Sequence, residues 1–449
     1  MKNRASCILF LVVLFTSIAP VPLAAQAIAG DAAINTIRDS ADIRTKIWKS
    51  IISAEYAAVK NQKPVVVSNG WGRWKISITA NKTHFYTIIS PERNGIYADF
   101  MQGTWIFKRS ISTGAFEQLK IFLRSSENIF MRVYPFGERS KADIIIYGAV
   151  IYYDVIIPIS FENLAVSSMK DIIKATSAVI DWSLFAPEPV LYSNSERLIE
   201  NIRTRLPELL YNDDGAADSD NVPRWISTLE AQPAPYGLNC SGFAKWITDG
   251  MLYPYTGTLL SIAEIKERML EYRGSSFTRP FEEKYDPYFG IDWIRALARS
   301  AWNVVNNTLQ KDPLRHDVDD PTFSIMVSGT HPITGGIQYR QITQNFNDAG
   351  FEISALLPML YLLALREPGN MYFAALSARS KQPPYLRRFF HVAVLIPYIT
   401  KEGIFTVTVF ESAAETSLAR ITKSGQYDFV KLVRMPITMQ FMPPAFGNK

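Results

Sequence analysis

The chain has 449 residues, of which 48% are hydrophobic, 12% aromatic and 20% charged, with a formal net charge of +5. That balance is globular, and the length suits two or three domains at the usual ~100–200 residues each. The basic residues are scattered without a stripe, which excludes a dedicated nucleic-acid surface. No segment beyond the N-terminus carries the roughly 18 uninterrupted apolar residues of a membrane helix.

The first residues read as a signal peptide of the Sec type over 1–27: Lys2 and Arg4, an apolar stretch from Ile8 to Ile18, then Ala25-Gln26-Ala27 as the cleavage site. The expectation is an exported protein, periplasmic or secreted, with no transmembrane segment in the mature chain. Cys7 precedes the apolar stretch, too early for lipoprotein acylation, and leaves with the peptide. Cys240 is then the one mature cysteine, and no disulfide can form within the chain.

From Asp31 to Lys60, Ile37, Ile43, Ile47, Ile51 and Ile52 are spaced as in amphipathic helices. Short segments rich in Val, Ile, Tyr, Phe and Thr follow: Pro64–Ser68, Trp74–Ala80, His84–Ser90, Gly95–Asp99, Trp105–Ser110, Glu117–Arg124, Ile129–Tyr134, Asp143–Tyr147 and Tyr152–Ser160. Turn residues separate them, the pattern of an antiparallel β domain. Ser167–Val179 predicts a helix, and Ala186–Pro189 a linker that closes a first domain over 28–190.

Ser195–Leu210 predicts another helix, followed by the polar loop Asn212–Asn221, which lacks the glycine and glutamate spacing of an EF-hand and reads as solvated. Phe243, Trp246, Ile247 and Met251 then share a helical face. Further helices are expected at Ser261–Tyr272, Ile291–Leu309 and Ile353–Leu365, with a mixed stretch at Phe323–Asn347. Strands are expected at Asn370–Ser377, His391–Pro397, Phe405–Phe410 and Gln426–Arg434. The fold class is α+β.

Cys240 follows Asn239, a good N-cap, so the thiol sits at the positive end of a helix, where a thiolate is favoured. By itself it fits a nucleophile or a small buried hydrophobe equally. Its partner decides between them. His391 opens the apolar run His391–Ile396 as its single ionisable residue, and a base on a rigid strand is what a cysteine hydrolase needs. A hairpin pivoting near Lys401 sets Glu411 directly opposite His391. His331, between glycine clusters, is the competing base. His316, among Asp317, Asp319 and Asp320, reads as a solvated surface histidine, and no metal-ligand spacing accompanies it.

Three ordered segments carry a family resemblance. Asn239-Cys240-Ser241-Gly242-Phe243 is similar to the Asp-Cys-Ser-Gly-Phe/Leu signature of the NlpC-type cell-wall cysteine peptidases, a branch of the papain-like superfamily. Pro368-Gly369-Asn370-Met371-Tyr372-Phe373 resembles that family's Pro-Gly-Asp-Leu-x-Phe, and His391-Val392-Ala393-Val394 its His-Val-Gly-Ile. Glu411 falls where the third polar residue comes. The Tyr-x-Trp-Gly-Gly segment is absent, and Tyr236-Gly237 is its nearest remnant.

The resemblance implies a papain-like domain over 191–449, with a large helical insertion at about 255–352 to account for the distance between Cys240 and His391. It implies an amide-cleaving hydrolase with catalytic Cys240, His391 and Glu411 and substrate-side Tyr236 and Ser241. Peptidoglycan stem peptide or another peptide is the implied substrate, with no cofactor or metal. Two other readings stand beside it: a catalytically idle papain-like scaffold protein of the envelope, and a thiol hydrolase or acyltransferase acting on lipid.

Overall fold

The computed structural model describes residues 37–269, 276–319, 325–330, 337–342, 349–381 and 385–446. The expected signal peptide and His331 lie outside these. The fold is mixed α+β, built on two antiparallel sheets.

The first sheet is a meander: β1 (Val65–Asn69), β2 (Gly72–Ala80), β3 (His84–Pro91), β4 (Trp105–Ser110), β5 (Phe116–Phe122), β6 (Ile129–Phe136), β7 (Arg139–Ile146) and β8 (Ala149–Ile157) pair in chain order. Strict alternation selects its inner face. Trp74, Trp105, Phe107, Leu119, Met131, Val133 and Ile144 are all buried there, against Ile43 of α1 (Ala41–Ile47), Phe161 and Leu164 of α2 (Phe161–Val166) and Ile172 of α3 (Met169–Thr176). Arg44 of α1 is fully buried; Nε donates to the Ala165 carbonyl at 2.9 Å, and the guanidinium lies 3.3 Å from the Trp105 ring centroid. Burial lowers its pKa to about 10 against the opposing charge of Asp39. The segment Gly95–Asp99 is not the expected strand. Asn94 and Gly95 take φ of 53° and 79°, and a lone bridge from Arg93 to Ile96 makes it a turn.

After α4 (Ser193–Arg205) the chain forms a small ladder, β9 (Gly215–Ala217) with β10 (Pro223–Trp225), then α5 (Cys240–Thr256), α6 (Arg279–Tyr285) and α7 (Phe289–Asn306). The insertion expected to be helical is not wholly so. Its hairpin, β11 (Met326–Thr330) and β12 (Ile337–Gln341), extends the first sheet through Met326 opposite Val150, and β13 (Phe351–Glu352) joins the second sheet. Nor does α7 stand apart as an appendage. Ile291, Trp293, Ile294 and Leu297 are buried in one cluster with Phe243 and Ile247 of α5. Buried Arg295 clamps α7 to Asp317 at 3.0 and 2.6 Å, and the Asp317 segment bridges to Val433.

The second sheet has the order β13-β18-β14-β15-β16-β17, with β14 (Asn370–Arg379), β15 (Arg387–Ile399), β16 (Phe405–Glu411), β17 (Ala414–Thr416) and β18 (Phe429–Pro436). Alternation splits its side chains between two cores. Met371, Phe373, Val392, Val394, Phe410 and Val433 face α5 and α7. Tyr372, Ala374, Ala393, Leu395, Val409 and Leu432 join the cluster of α8 (Leu356–Arg366), which continues into the core of the first sheet. The two sheets therefore share buried apolar surface.

Candidate active site

Local sequence fixes the thiol. Asn239 is extended, and its side-chain oxygen accepts the Gly242 N–H at 2.7 Å, capping a 17-residue helix whose first residue is Cys240. Asn239 is itself held: Nδ2 donates to the Asp213 carbonyl at 3.0 Å and its backbone N–H to the Gly215 carbonyl at 2.9 Å. Three backbone segments stack here at distances only glycine allows. A Cβ on Gly242 would lie 1.9 Å from the Gly215 oxygen, and one on Gly215 would lie 1.9 Å from the Gly237 oxygen. From the other side, Trp293 Nε1 donates to the Ser241 carbonyl at 2.9 Å. Phe243 and Trp246 stack at 5.8 Å and bury the helix below the thiol. The polar loop expected to be solvated thus supports, through Asp213 and Gly215, the helix start that carries Cys240.

His391 sits beside a β-bulge. Leu376 opposes His391 while Ser377 opposes Phe389, which leaves Phe390 as the extra residue beside His391. Bulges of this kind re-aim a neighbouring side chain. His391 lies inside β15 rather than at its mouth, four residues after the strand begins. Its Nε2 meets Glu411 Oε2 at 2.5 Å, and Tyr427 stacks on the ring with centroids 5.8 Å apart and planes 14° apart. Glu411 is buried, accepts the Thr416 hydroxyl at 2.8 Å and pairs with Arg420 at 3.4 Å.

The electrostatics follow from these contacts. Burial pushes the Cys240 thiol up, but the hydrogen bond to His391, the imidazolium charge and the Val392 N–H outweigh it, and the net shift is down. Burial likewise disfavours the His391 cation, yet Cys240 and Glu411 raise that group to about 9. For Glu411, burial raises the carboxyl, while His391, Thr416 and Arg420 bring it below the usual range. With Nε2 engaged by Glu411, Nδ1 is the nitrogen left to the thiol. The three groups favour a thiolate, an imidazolium and a carboxylate, and they titrate as a coupled set.

The thiol and ring open into a cleft of about 400 Å³, walled by Tyr211 and Asp213, by Tyr285, Asp286 and Phe289, and by Arg388 and Ser412. Cys240, Ser241 and His391 all line it, with Ser241 Oγ 4.0 Å from the Cys240 sulfur. Tyr236 does not; its ring packs on Phe446 at 5.6 Å. Tyr211 is the tyrosine of this segment that lines the cleft. Its hydroxyl donates to Asp213, which with burial and the charges of Asp213 and Cys240 lifts its pKa to about 12.

The sequence reading passed over Tyr211 and Tyr427. Tyr211 directly precedes the polar loop, and that position was the available signal; nothing local marks Tyr427. His84 is a surface partner of Glu117 at 2.9 Å. His316 is buried beside Trp302, not solvated, and its pKa is lowered by that burial first and by Arg315 and Arg434 after it. No group of three or more His, Cys, Asp or Glu side chains suited to a metal occurs among the described residues, and no described helix is long and apolar enough to cross a membrane.

Residues 33–184 match the family model of a domain of unknown function, DUF8515. The match covers the first sheet through β8 with α1 to α3, and ends before the elements that carry Cys240, His391 and Glu411. No curated protein and no solved structure matches the chain.

Proposed function

We propose that this protein is an exported thiol hydrolase that cleaves an amide bond, with a peptidoglycan stem peptide as its substrate and a papain-like, NlpC-type organisation in its C-terminal half. The observation that carries the reading is the His391 imidazole held between the Cys240 thiol and the buried Glu411 carboxylate. A capped helix presenting a thiol toward a histidine on an antiparallel sheet supports the papain-like assignment.

In this reading the Cys240 thiolate attacks the amide carbon, and the carbonyl electrons move onto oxygen. The Cys240 backbone N–H, unpaired within its helix, is the donor at the thiol that would receive that oxyanion. Imidazolium His391 gives its Nδ1 proton to the leaving amine as the C–N bond breaks, which leaves a thioester. Water then attacks the thioester with His391 as base, the acid departs and the thiolate returns. Glu411 keeps the proton on Nε2 throughout and stabilises the cation.

The cleft favours peptide over lipid. Asp213, Asp286 and Arg388 place charges of both signs around the thiol, which suits a zwitterionic peptide and disfavours an acyl chain. An idle scaffold would not need a thiol whose pKa is lowered by a base.

The test is mass spectrometry of purified peptidoglycan fragments incubated with the mature protein and with its Cys240→Ala variant. Cuts made by the wild type alone support the reading and locate the bond. Absence of cuts with both proteins shifts the assignment to the lipid substrate or the idle scaffold.

A further inference from the structure

The strand segment that leads into His391 is fixed against the cleft. The Phe389 N–H donates to the Pro287 carbonyl at 2.8 Å, and a Cβ on Gly290 would lie 2.6 Å from the Phe389 oxygen, so the start of α7 is wedged against β15. Phe389 itself is buried in the core shared with α5 and α7. Alternation therefore turns its neighbours Arg388 and Phe390 outward, and both line the cleft of the thiol. Phe390 is 51% exposed and packs on Tyr427 with ring centroids 5.5 Å apart; the same tyrosine stacks on His391. Arg388, Phe390 and His391 thus belong to one continuous wall.

Arg388 differs from the other charged groups that line this cleft. Asp213 accepts the Tyr211 hydroxyl, Asp286 lies 3.8 Å from Arg268, and His391 is bound to Glu411. The preceding Arg387 is engaged by Asp428 at 3.3 Å and by the Phe429 ring at 4.5 Å. Arg388 is exposed and makes no ion pair or side-chain hydrogen bond among the described residues.

We propose that Arg388 is a specificity-determining residue that binds a free carboxylate on the residue supplying the leaving amine, with Phe390 as the apolar surface beside it. This rests on the thiol-hydrolase reading and narrows its substrate class to peptides cut next to a residue whose carboxylate is free. The direction follows from the chemistry. His391 protonates the leaving amine, while the helix start at Cys240 takes the oxyanion, so the departing fragment lies along the β15 wall. Arg388 precedes His391 there by three residues, about 10 Å at ~3.3 Å per residue of strand. An arginine side chain and one ligand residue together span that gap. A guanidinium fork holds a carboxylate through two parallel charge-assisted hydrogen bonds, and an amide in its place supplies neither the charge nor the second acceptor.

The experiment compares the rates at which N-iodoacetylglycine and N-iodoacetylglycinamide alkylate Cys240 in the mature chain, followed by intact-mass spectrometry below the pH of ~8.5 at which an ordinary thiol ionises. The two probes share a reactive carbon and differ only in the terminal carboxylate. Expected is faster labelling by the acid, with a ratio of acid to amide rates that falls about tenfold in Arg388→Gln, or ~1.4 kcal/mol. Arg388→Lys should keep part of that ratio, because it retains the charge without the fork. Each ratio is taken within one protein, so a general change in thiol reactivity cancels from it. Equal rates for the two probes with the wild type, or a ratio unchanged by Arg388→Gln, would overturn the proposal while leaving the thiolate in place. Failure of both probes to label Cys240 would instead overturn the thiol reading, and the proposal with it.

Discussion

His391 and Glu411 meet along a diagonal of the β15–β16 ladder. Val394 opposes Phe410, so the register, continued by one residue, sets Glu411 against Ala393, two positions from His391. Diagonal neighbours are roughly 7–8 Å apart at Cα, within reach of long side chains, and the 2.5 Å contact closes that gap. The pairing expected from a pivot at Lys401 differs from this by two residues. A shift of two keeps every side chain on its face; a shift of one would have turned Glu411 away.

Glu411 favours the imidazolium, so its charge should set the alkaline limit of activity. The His391 cation persists to about pH 9, and loss of that proton removes the acid for the leaving amine. Glu411→Gln keeps a hydrogen-bond acceptor for Nε2 but drops the charge. The alkaline limb of kcat/KM should move down by about one pH unit, equivalent to ~1.4 kcal/mol of cation stabilisation. A pH–rate profile of the two proteins measures it, and an unmoved limb would remove Glu411 from the triad.

Tyr427 holds the imidazole by stacking, with its ring plane within 14° of that of His391. The face of the ring does this, so Tyr427→Phe should keep wild-type kinetics and Tyr427→Ala should lower kcat about tenfold with little change in KM. An alanine variant whose kcat and pH profile both match the wild type would show the stack to be incidental.

Gly242 is set by space. The Cβ of Gly242→Ala would sit 1.9 Å from a backbone oxygen that is itself wedged against Gly237, so the start of α5 must lift. Overpacking of this kind costs about 1–3 kcal/mol, and displacement of Cys240 should lower activity further. Thermal unfolding and activity together check this; a variant with unchanged melting temperature and full activity would contradict the packing argument.

What could be read from the residues was whatever depends on periodicity and capping. The strands of the first sheet, the helix at Cys240 and the strands around His391 follow from alternation, helical spacing and Asn239. The missed features all come from chain segments far apart in sequence. Gly215 supports Asn239 across more than twenty residues. Tyr427 reaches His391 only because β18 and β15 flank β14. Helix α7 lies within the expected insertion yet is core, because Trp293 and Arg295 find partners on α5 and at Asp317. The bulge at Phe390 has no local sequence mark, since the segment reads as uninterrupted β.

The central claim is that Cys240 is a thiolate held by His391, and the pH dependence of its alkylation by iodoacetamide tests it most directly. Cys240 is the one described cysteine, so intact-mass spectrometry reports its rate alone once the signal segment is absent. The wild type should react well below the pH at which an ordinary thiol ionises, ~8.5. His391→Ala should move the midpoint up, because burial is then opposed only by the Val392 N–H and the Ser241 hydroxyl. A wild-type midpoint at or above the ordinary value, unchanged by His391→Ala, would contradict the account.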